Sequence, residues 1–235
     1  MALSPDALIF DPPHLHGASA DGTWHEWALG GEALRLLSSR LQPGWRTLET
    51  GAGVSTVLFA MQDTQHTCIV PDPEEVARIT EFCAAHGIST DRVTFIEQNS
   101  EDALPRLEPE PLDLVLLDGS HSFPSVFIDW YYTARRLKIG GWLFVDDTHI
   151  WTGRVLREFL QAEPDWELVE DFPYRTAIFR TRSPVFGVRN WIDQPYVVAR
   201  SASTRRREAL MSLRERSWHR VSGKLQRLPF PRPRR

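Results

Sequence analysis

Residues 45–56 read Trp-Arg-Thr-Leu-Glu-Thr-Gly-Ala-Gly-Val-Ser-Thr, and no other stretch constrains the fold as much. A short apolar strand ends at Glu49, a tight Gly51-Ala52-Gly53 turn follows, and Val54, Val57, Leu58 and Ala60 begin an apolar helix. A strand that turns on glycines into a helix lets a ligand lie against bare backbone beside a helix N-terminus. Many such turns carry glycine for geometry alone, so the weight of this one depends on its neighbours in the chain.

Those neighbours form a regular strand–helix alternation. The pattern predicts a helix over 26–40, stopped by Pro43-Gly44, then a strand over 45–50 and a helix over 54–62. Strands over 66–70 and 92–97 come next, separated by a helix over 74–86 whose first turn holds Pro73 and Glu74-Glu75. A short helix over 101–107 precedes the apolar run Leu112–Leu117, which suits a parallel strand covered on both faces. A helix over 124–137 leads to Lys138-Ile-Gly-Gly141 and a fifth strand over 142–145. A helix over 154–161 and two edge strands, 166–170 and 175–181, complete a doubly wound α/β domain with a mostly parallel seven-stranded sheet. In such a sheet ligands bind beyond the carboxyl ends of the strands. Glu49, Asp72, Asn99, Asp118, Asp146 and Asp147 all fall at or just after those ends.

Composition excludes other classes. At 235 residues, 42% hydrophobic and 25% charged, the chain suits one globular domain with an appendage. It has no apolar run of membrane-spanning length and no basic-then-apolar leader, so the expected location is cytoplasmic. Cys68 and Cys83 have no metal-site spacing and read as buried small residues.

From here the chain resembles a class I S-adenosylmethionine-dependent methyltransferase, over about residues 25–182. Glu49-x-Gly51-x-Gly53 is similar to that family's first motif, with Ser55 where a third glycine is usual. Thr56 stands three residues after Gly53, which counts against the Gly-x-Gly-x-x-Gly of a nicotinamide-binding oxidoreductase. The block Asp113-Leu-Val-Leu-Leu-Asp118-Gly-Ser-His121, then Asp129-Trp130, then Leu137-Lys-Ile-Gly-Gly-Trp-Leu-Phe-Val-Asp146-Asp147-Thr148 carries the resemblance further. It looks like the fourth and fifth strands of small-molecule O-methyltransferases of the catechol and macrocin types. The resemblance implies that Gly51 and Gly53 pass close to the methionine part of the cofactor and that Glu49 accepts from its ammonium group. It also implies that Asn99 or Ser100 meets the adenine edge, and that an acid ending the second strand grips the ribose hydroxyls. This chain has Val70 at that last position, with Asp72 the nearest acid and Glu75 the next.

Methyl transfer to a hydroxyl needs alignment and deprotonation of the acceptor. Two routes are open. Asp118, Asp146 and Asp147 can hold a hard divalent cation such as Mg²⁺ through oxygen ligands, with Asp118 also beside the cofactor. Alternatively His121 or His149 serves as general base, and His121, three residues after Asp118, pairs easily with it. Trp24 and Trp27 lie in the segment that often lids the acceptor pocket of this fold.

The chain divides into an N-terminal extension (1–24), the methyltransferase domain (25–182), a linker (183–198) and a tail (199–235). Twelve of the 27 basic residues but only two of the 31 acidic ones fall in the tail, so a basic appendage follows an acidic body. Met211, Trp218 and Leu225 recur every seven residues among arginines. That pattern suits a peripheral membrane surface, an acidic partner, or packing on the chain's own domain. Nucleic acid is disfavoured, since no recognition motif accompanies the charge. Aromatics near the termini are compatible with a homodimer. The expected function is O-methylation of a small hydroxylated molecule. The competing reading is a non-catalytic methyltransferase-like domain that binds a partner through its tail.

Overall fold

A computed structural model describes residues 3–17, 29–173, 175–184, 189–202 and 211. The chain forms two compact units, Met1–Val188 and Arg189–Arg235. Of the second unit, the described part holds a short 3₁₀ turn, Trp191–Asp193, and helical residues 195–202. Residues 203–210 and 212–235, and with them most of the tail, lie outside the described residues, as do Trp24 and Trp27.

In the first unit, β1 (Arg46–Thr50), β2 (Gln65–Ile69), β3 (Val93–Ile96), β4 (Leu112–Leu117), β5 (Leu137–Val145), β6 (Trp166–Phe172) and β7 (Thr176–Thr181) make one sheet. Its order is β3-β2-β1-β4-β5-β7-β6. The first five strands run parallel, and β7 is antiparallel to both its neighbours, as the edge pair leads one to expect. Between the strands come α3 (Val54–Met61), α4 (Pro73–Ala85), α5 (Ser100–Ala103), α6 (Ser125–Ala134) and α7 (Trp151–Ala162), preceded by α1 (Pro5–Phe10) and α2 (Gly31–Arg40).

Strand alternation sorts the core into two layers. Leu114, Leu116, Phe144 and Ile178 pack with Leu37, Val57, Phe59 and Ile79 on the side of α1 to α4. Val115, Leu117, Leu143 and Phe179 pack with Val126, Leu156 and Leu160 on the other side. Both cysteines are buried and unpaired. Among the described residues, no helix is long and apolar enough to cross a membrane.

Three local expectations change. The helix expected over 26–40 begins at Gly31, with residues 26–28 outside the described part. The helix expected to reach 137 ends at Ala134, and Leu137 already pairs with Leu112. The next partners are Leu114 and Trp142, so the Lys138–Gly141 segment bulges out of the ladder, with Gly140 at φ +79°. Finally, α1 falls within the N-terminal extension. Ser4 caps it through the backbone N–H of Ala7, and Leu8 and Ile9 are buried in the core.

Candidate active site

The sheet order changes direction between β1 and β4, and a cleft lies beyond their carboxyl ends. It is a cavity of about 560 Å³ whose walls include Gly51, Val70, Ser100, Asp118, His121 and Asp147. Gly51 adopts φ +85°, and a Cβ there would fall 2.1 Å from the main-chain oxygen of Asp118. The β1 turn and the β4 turn therefore touch through bare backbone, which only glycine permits.

The acidic end of the cavity comes from β4 and β5. Asp118 follows β4, and burial together with the adjacent Asp146 and Asp147 carboxylates pushes its carboxyl well above the usual range. Asp146 follows β5, is itself raised by burial, and accepts the Thr176 hydroxyl. Asp147 is held below the usual range, chiefly by its hydrogen bond with His121. His121 Nε2 lies 3.0 Å from Asp147 Oδ2 and 3.9 Å from Asp118 Oδ1. Asp147 sits in the left-handed region at φ +51°, a costly conformation for a non-glycine residue that turns its carboxylate toward the histidine. His149 is more exposed, with Nδ1 3.5 Å from Asp147 Oδ1, and stands outside the cavity lining.

The three aspartates offer only oxygen donors, yet among the described residues the group whose ligand atoms converge within 4.8 Å of one another is Glu49, His66 and Cys68, not Asp118, Asp146 and Asp147. Asp118 and Asp147 open on the cavity, while Asp146 stands behind them on Thr176.

The opposite wall holds the other expected residues. Asn99 and Ser100, at the start of α5, line it. Asp72 does not. It is the N-cap of α4, accepting the Glu74 N–H at 2.9 Å, and also receives Arg78; it is 46% exposed. Glu75, one turn on, lines the cavity beside Val70 and is only 13% exposed. Its Oε1 lies 2.7 Å from Nδ1 of His16, a cavity residue that sequence reasoning missed. His16 comes from the N-terminal segment, which Arg78 Nε anchors by donating to the Leu15 carbonyl at 2.6 Å. Gly53, at φ +153°, faces the His16 ring, which would lie 3.2 Å from a Cβ there.

Glu49 points away from the cavity. Its carboxylate is buried under the glycine turn, where Ser55 donates at 2.7 Å, Thr56 donates as well, and His66 Nε2 lies 3.0 Å away. Thr56 in turn accepts the Gly53 N–H at 3.0 Å. Ser55, which replaces the usual glycine, thus fastens the first turn of α3 to β1. Burial and the Glu49 charge raise the nearby Cys68 thiol well above its ordinary range, which keeps it protonated and inert.

Residues 48–148 match a family model described as a methyltransferase domain. The fold is the Rossmann-like one found in solved methyltransferases. Among solved structures, cofactor-bound Rv0187 from MTB shares 18% identity at a TM-score of 0.56, over 67% of this chain and 83% of that one. The O-methyltransferase TomG of Streptomyces achromogenes, involved in tomaymycin synthesis and solved with SAM, shares 17% at 0.54, over 68% and 84%. The SAH-bound methyltransferase PaMTH1 of Podospora anserina shares 17% at 0.52, over 66% and 80%. No curated protein matches the sequence. In this methyltransferase fold the cavity occupies the crevice that the sheet topology reserves for ligands.

Proposed function

We propose that the chain is an S-adenosylmethionine-dependent methyltransferase that methylates a hydroxyl of a small molecule. The carrying observation is the Asp118–His121–Asp147 group at the cavity rim, beside the Gly51 turn. Further support comes from the methyltransferase family model and from the SAM and SAH complexes of fold neighbours. Gly51 lets the methionine part of the cofactor lie against backbone, Glu75 takes the ribose hydroxyls in place of Asp72, and Asn99 and Ser100 meet the adenine. His149 serves as a secondary support of Asp147, and the inward Glu49 shapes the turn.

In the reaction the acceptor oxygen attacks the methyl carbon in line with the sulfonium, the carbon–sulfur bond breaks, and its electron pair stays on sulfur. The acceptor proton goes to His121. With its Nε2–H donating to Asp147, the neutral imidazole keeps the Nδ1 lone pair as base, and Asp147 stabilises the imidazolium that forms. A divalent cation such as Mg²⁺ would be held by Asp118, Asp147 and Asp146 only if their oxygens drew closer together than they stand here, and it would then polarise the hydroxyl and lower its pKa.

Titration calorimetry with S-adenosylmethionine and S-adenosylhomocysteine, with and without Mg²⁺, tests the cofactor. Single-turnover methylation of a hydroxylated-compound panel by wild type and His121→Asn tests the base. Micromolar binding and a large loss of rate in the variant are expected; no binding under any condition overturns the reading. Val70, where the family has an acid, favours the second reading, a non-catalytic binding domain. Asp118→Ala separates the two, because an enzyme loses turnover while a binding domain keeps its partner. Residues 199–235 are proposed to contact a membrane surface or an acidic partner, and removing 200–235 should spare catalysis on a small acceptor.

A further inference from the structure

Beneath the glycine turn, Glu49 of β1 meets His66 and Cys68 of β2. Strand register brings them together: Thr47 stands opposite His66 and Glu49 opposite Cys68, so the four side chains share one face of the sheet. A carboxylate, an imidazole and a thiol result, with ligand atoms within 4.8 Å of one another. Glu49 and His66 are 1% exposed and Cys68 is wholly buried.

The hydrogen bonds behind His66 fix which ring nitrogen carries its hydrogen. The Phe59 carbonyl can only accept, so Thr64 gives it the hydroxyl hydrogen at 3.0 Å. Thr47 gives its own hydrogen to Thr64 Oγ1 at 3.3 Å. That leaves Thr47 only lone pairs for His66 Nδ1, 2.8 Å away, and Nδ1 therefore bears the hydrogen. The other nitrogen, Nε2, lies 3.0 Å from Glu49 Oε1. A neutral imidazole would set a lone pair against a carboxylate there. Something positive belongs between them, either a proton or a metal ion.

Cys68 favours the metal. A proton shared by imidazole and carboxylate has no use for a thiol, whereas carboxylate, imidazole and thiolate are all zinc ligands. We propose that Glu49 Oε1, His66 Nε2 and Cys68 Sγ bind a structural Zn²⁺ beneath the Gly51–Gly53 turn. On binding, the thiol proton leaves to solvent, and metal bonds to Oε1 and Nε2 replace the contact between them. A fourth, oxygen ligand is at hand in the Gly51 carbonyl, 3.4 Å from the sulfur, or the Thr56 hydroxyl, 3.9 Å from it. The Nδ1–H bond to Thr47 and the Phe59 ring, stacked on the imidazole at 4.0 Å, hold the ligand ring in place as outer partners of metal-bound histidines do. Ser55 and Thr56 keep their hydrogen bonds to Glu49. The ion would join β1, β2 and the turn at one point, whatever ligand the cavity takes.

The test is the absorption spectrum of the full chain produced with Co²⁺ in place of Zn²⁺, so that the ion enters as the buried site folds, and then freed of loose metal. The chain has only two cysteines, so a thiolate-to-cobalt charge-transfer band can be assigned. The band should appear in wild type and in Cys83→Ala and be missing from Cys68→Ser. Protein made with Zn²⁺ should carry one zinc per chain by native mass spectrometry, and Cys68→Ser should lose it. Either variant alone assigns the band, so one that fails to fold leaves the other to decide. No band in wild type, loss of the band in Cys83→Ala, or a band that persists in Cys68→Ser overturns the proposal, and a proton then lies between Glu49 and His66.

Discussion

The main-chain oxygen of Asp118 occupies the space where a side chain on Gly51 would begin, 2.1 Å from the position of its missing Cβ. Strands β1 and β4, neighbours in the sheet, meet again just past their ends, and that second contact sets the floor of the cavity. Gly51→Ala would have to hold φ +85° and push the Asp118 turn away. It should cost roughly 2–4 kcal/mol and abolish S-adenosylhomocysteine binding. A melting temperature and affinity like those of wild type would refute the contact as described.

Asp118 carries the strongest penalty at the acidic end. Its folded pKa lies above its unfolded one, so the associated stability is present at low pH and is lost as pH rises from the ordinary carboxylate range through the raised value. Asp118→Asn should therefore melt higher than wild type, without metal, as pH rises above the ordinary carboxylate range, and lose that advantage near pH 4. Mg²⁺ should raise the melting temperature of wild type and not of Asp118→Asn. No Mg²⁺ shift in wild type would leave His121 as base without a cation.

Asp72 and Glu75 lie on the first turn of one helix yet should fail differently. Asp72→Ala removes the N-cap of α4, costing about 1 kcal/mol, and leaves cofactor affinity alone. Glu75→Ala should weaken S-adenosylhomocysteine binding by roughly tenfold or more, the loss of about one charged hydrogen bond, with little change in melting. Calorimetry on both variants decides, and the opposite pattern would return the ribose contact to Asp72.

Asp129, buried on α6, ties stability to pH in a second window. Its folded value of about 6 exceeds the unfolded carboxylate value, so the native state loses stability as pH rises from about 4 to 6 and is level above that. Relative to wild type, Asp129→Asn should gain up to about 3 kcal/mol between pH 4 and 7. Denaturant titrations across that range measure it, and parallel curves for the two proteins would contradict the burial of a charge.

Much of this was legible in the sequence because strand ends are. The run Leu112–Leu117 announces a strand covered on both faces, and the acids after it and after Val145 fall where parallel strands deliver them. Parity along a strand was also readable and went unused. Leu48 and Thr50 share one face of β1, so Glu49 belongs to the other, where His66 and Cys68 of β2 wait to receive it. Asp129 carried a signal as well, a carboxylate one turn beyond Ser125 amid Val126, Phe127, Ile128 and Trp130. His16 carried none. It reaches the cavity through tertiary packing of Leu8, Ile9 and Leu15 in the core, a contact between segments some 60 residues apart that no local pattern encodes.

The two walls of the cavity are built by different means. Asp118 and Asp146 hang from adjacent, hydrogen-bonded strands, so their separation is a property of the sheet and cannot change without unzipping it. His16 and Glu75 meet through side chains, one of them on a segment that belongs to no strand. Exchanging a ligand therefore need disturb only the second wall. Amide hydrogen exchange should accordingly find β4 and β5 equally protected with and without cofactor, while residues 12–17 slow sharply when it binds.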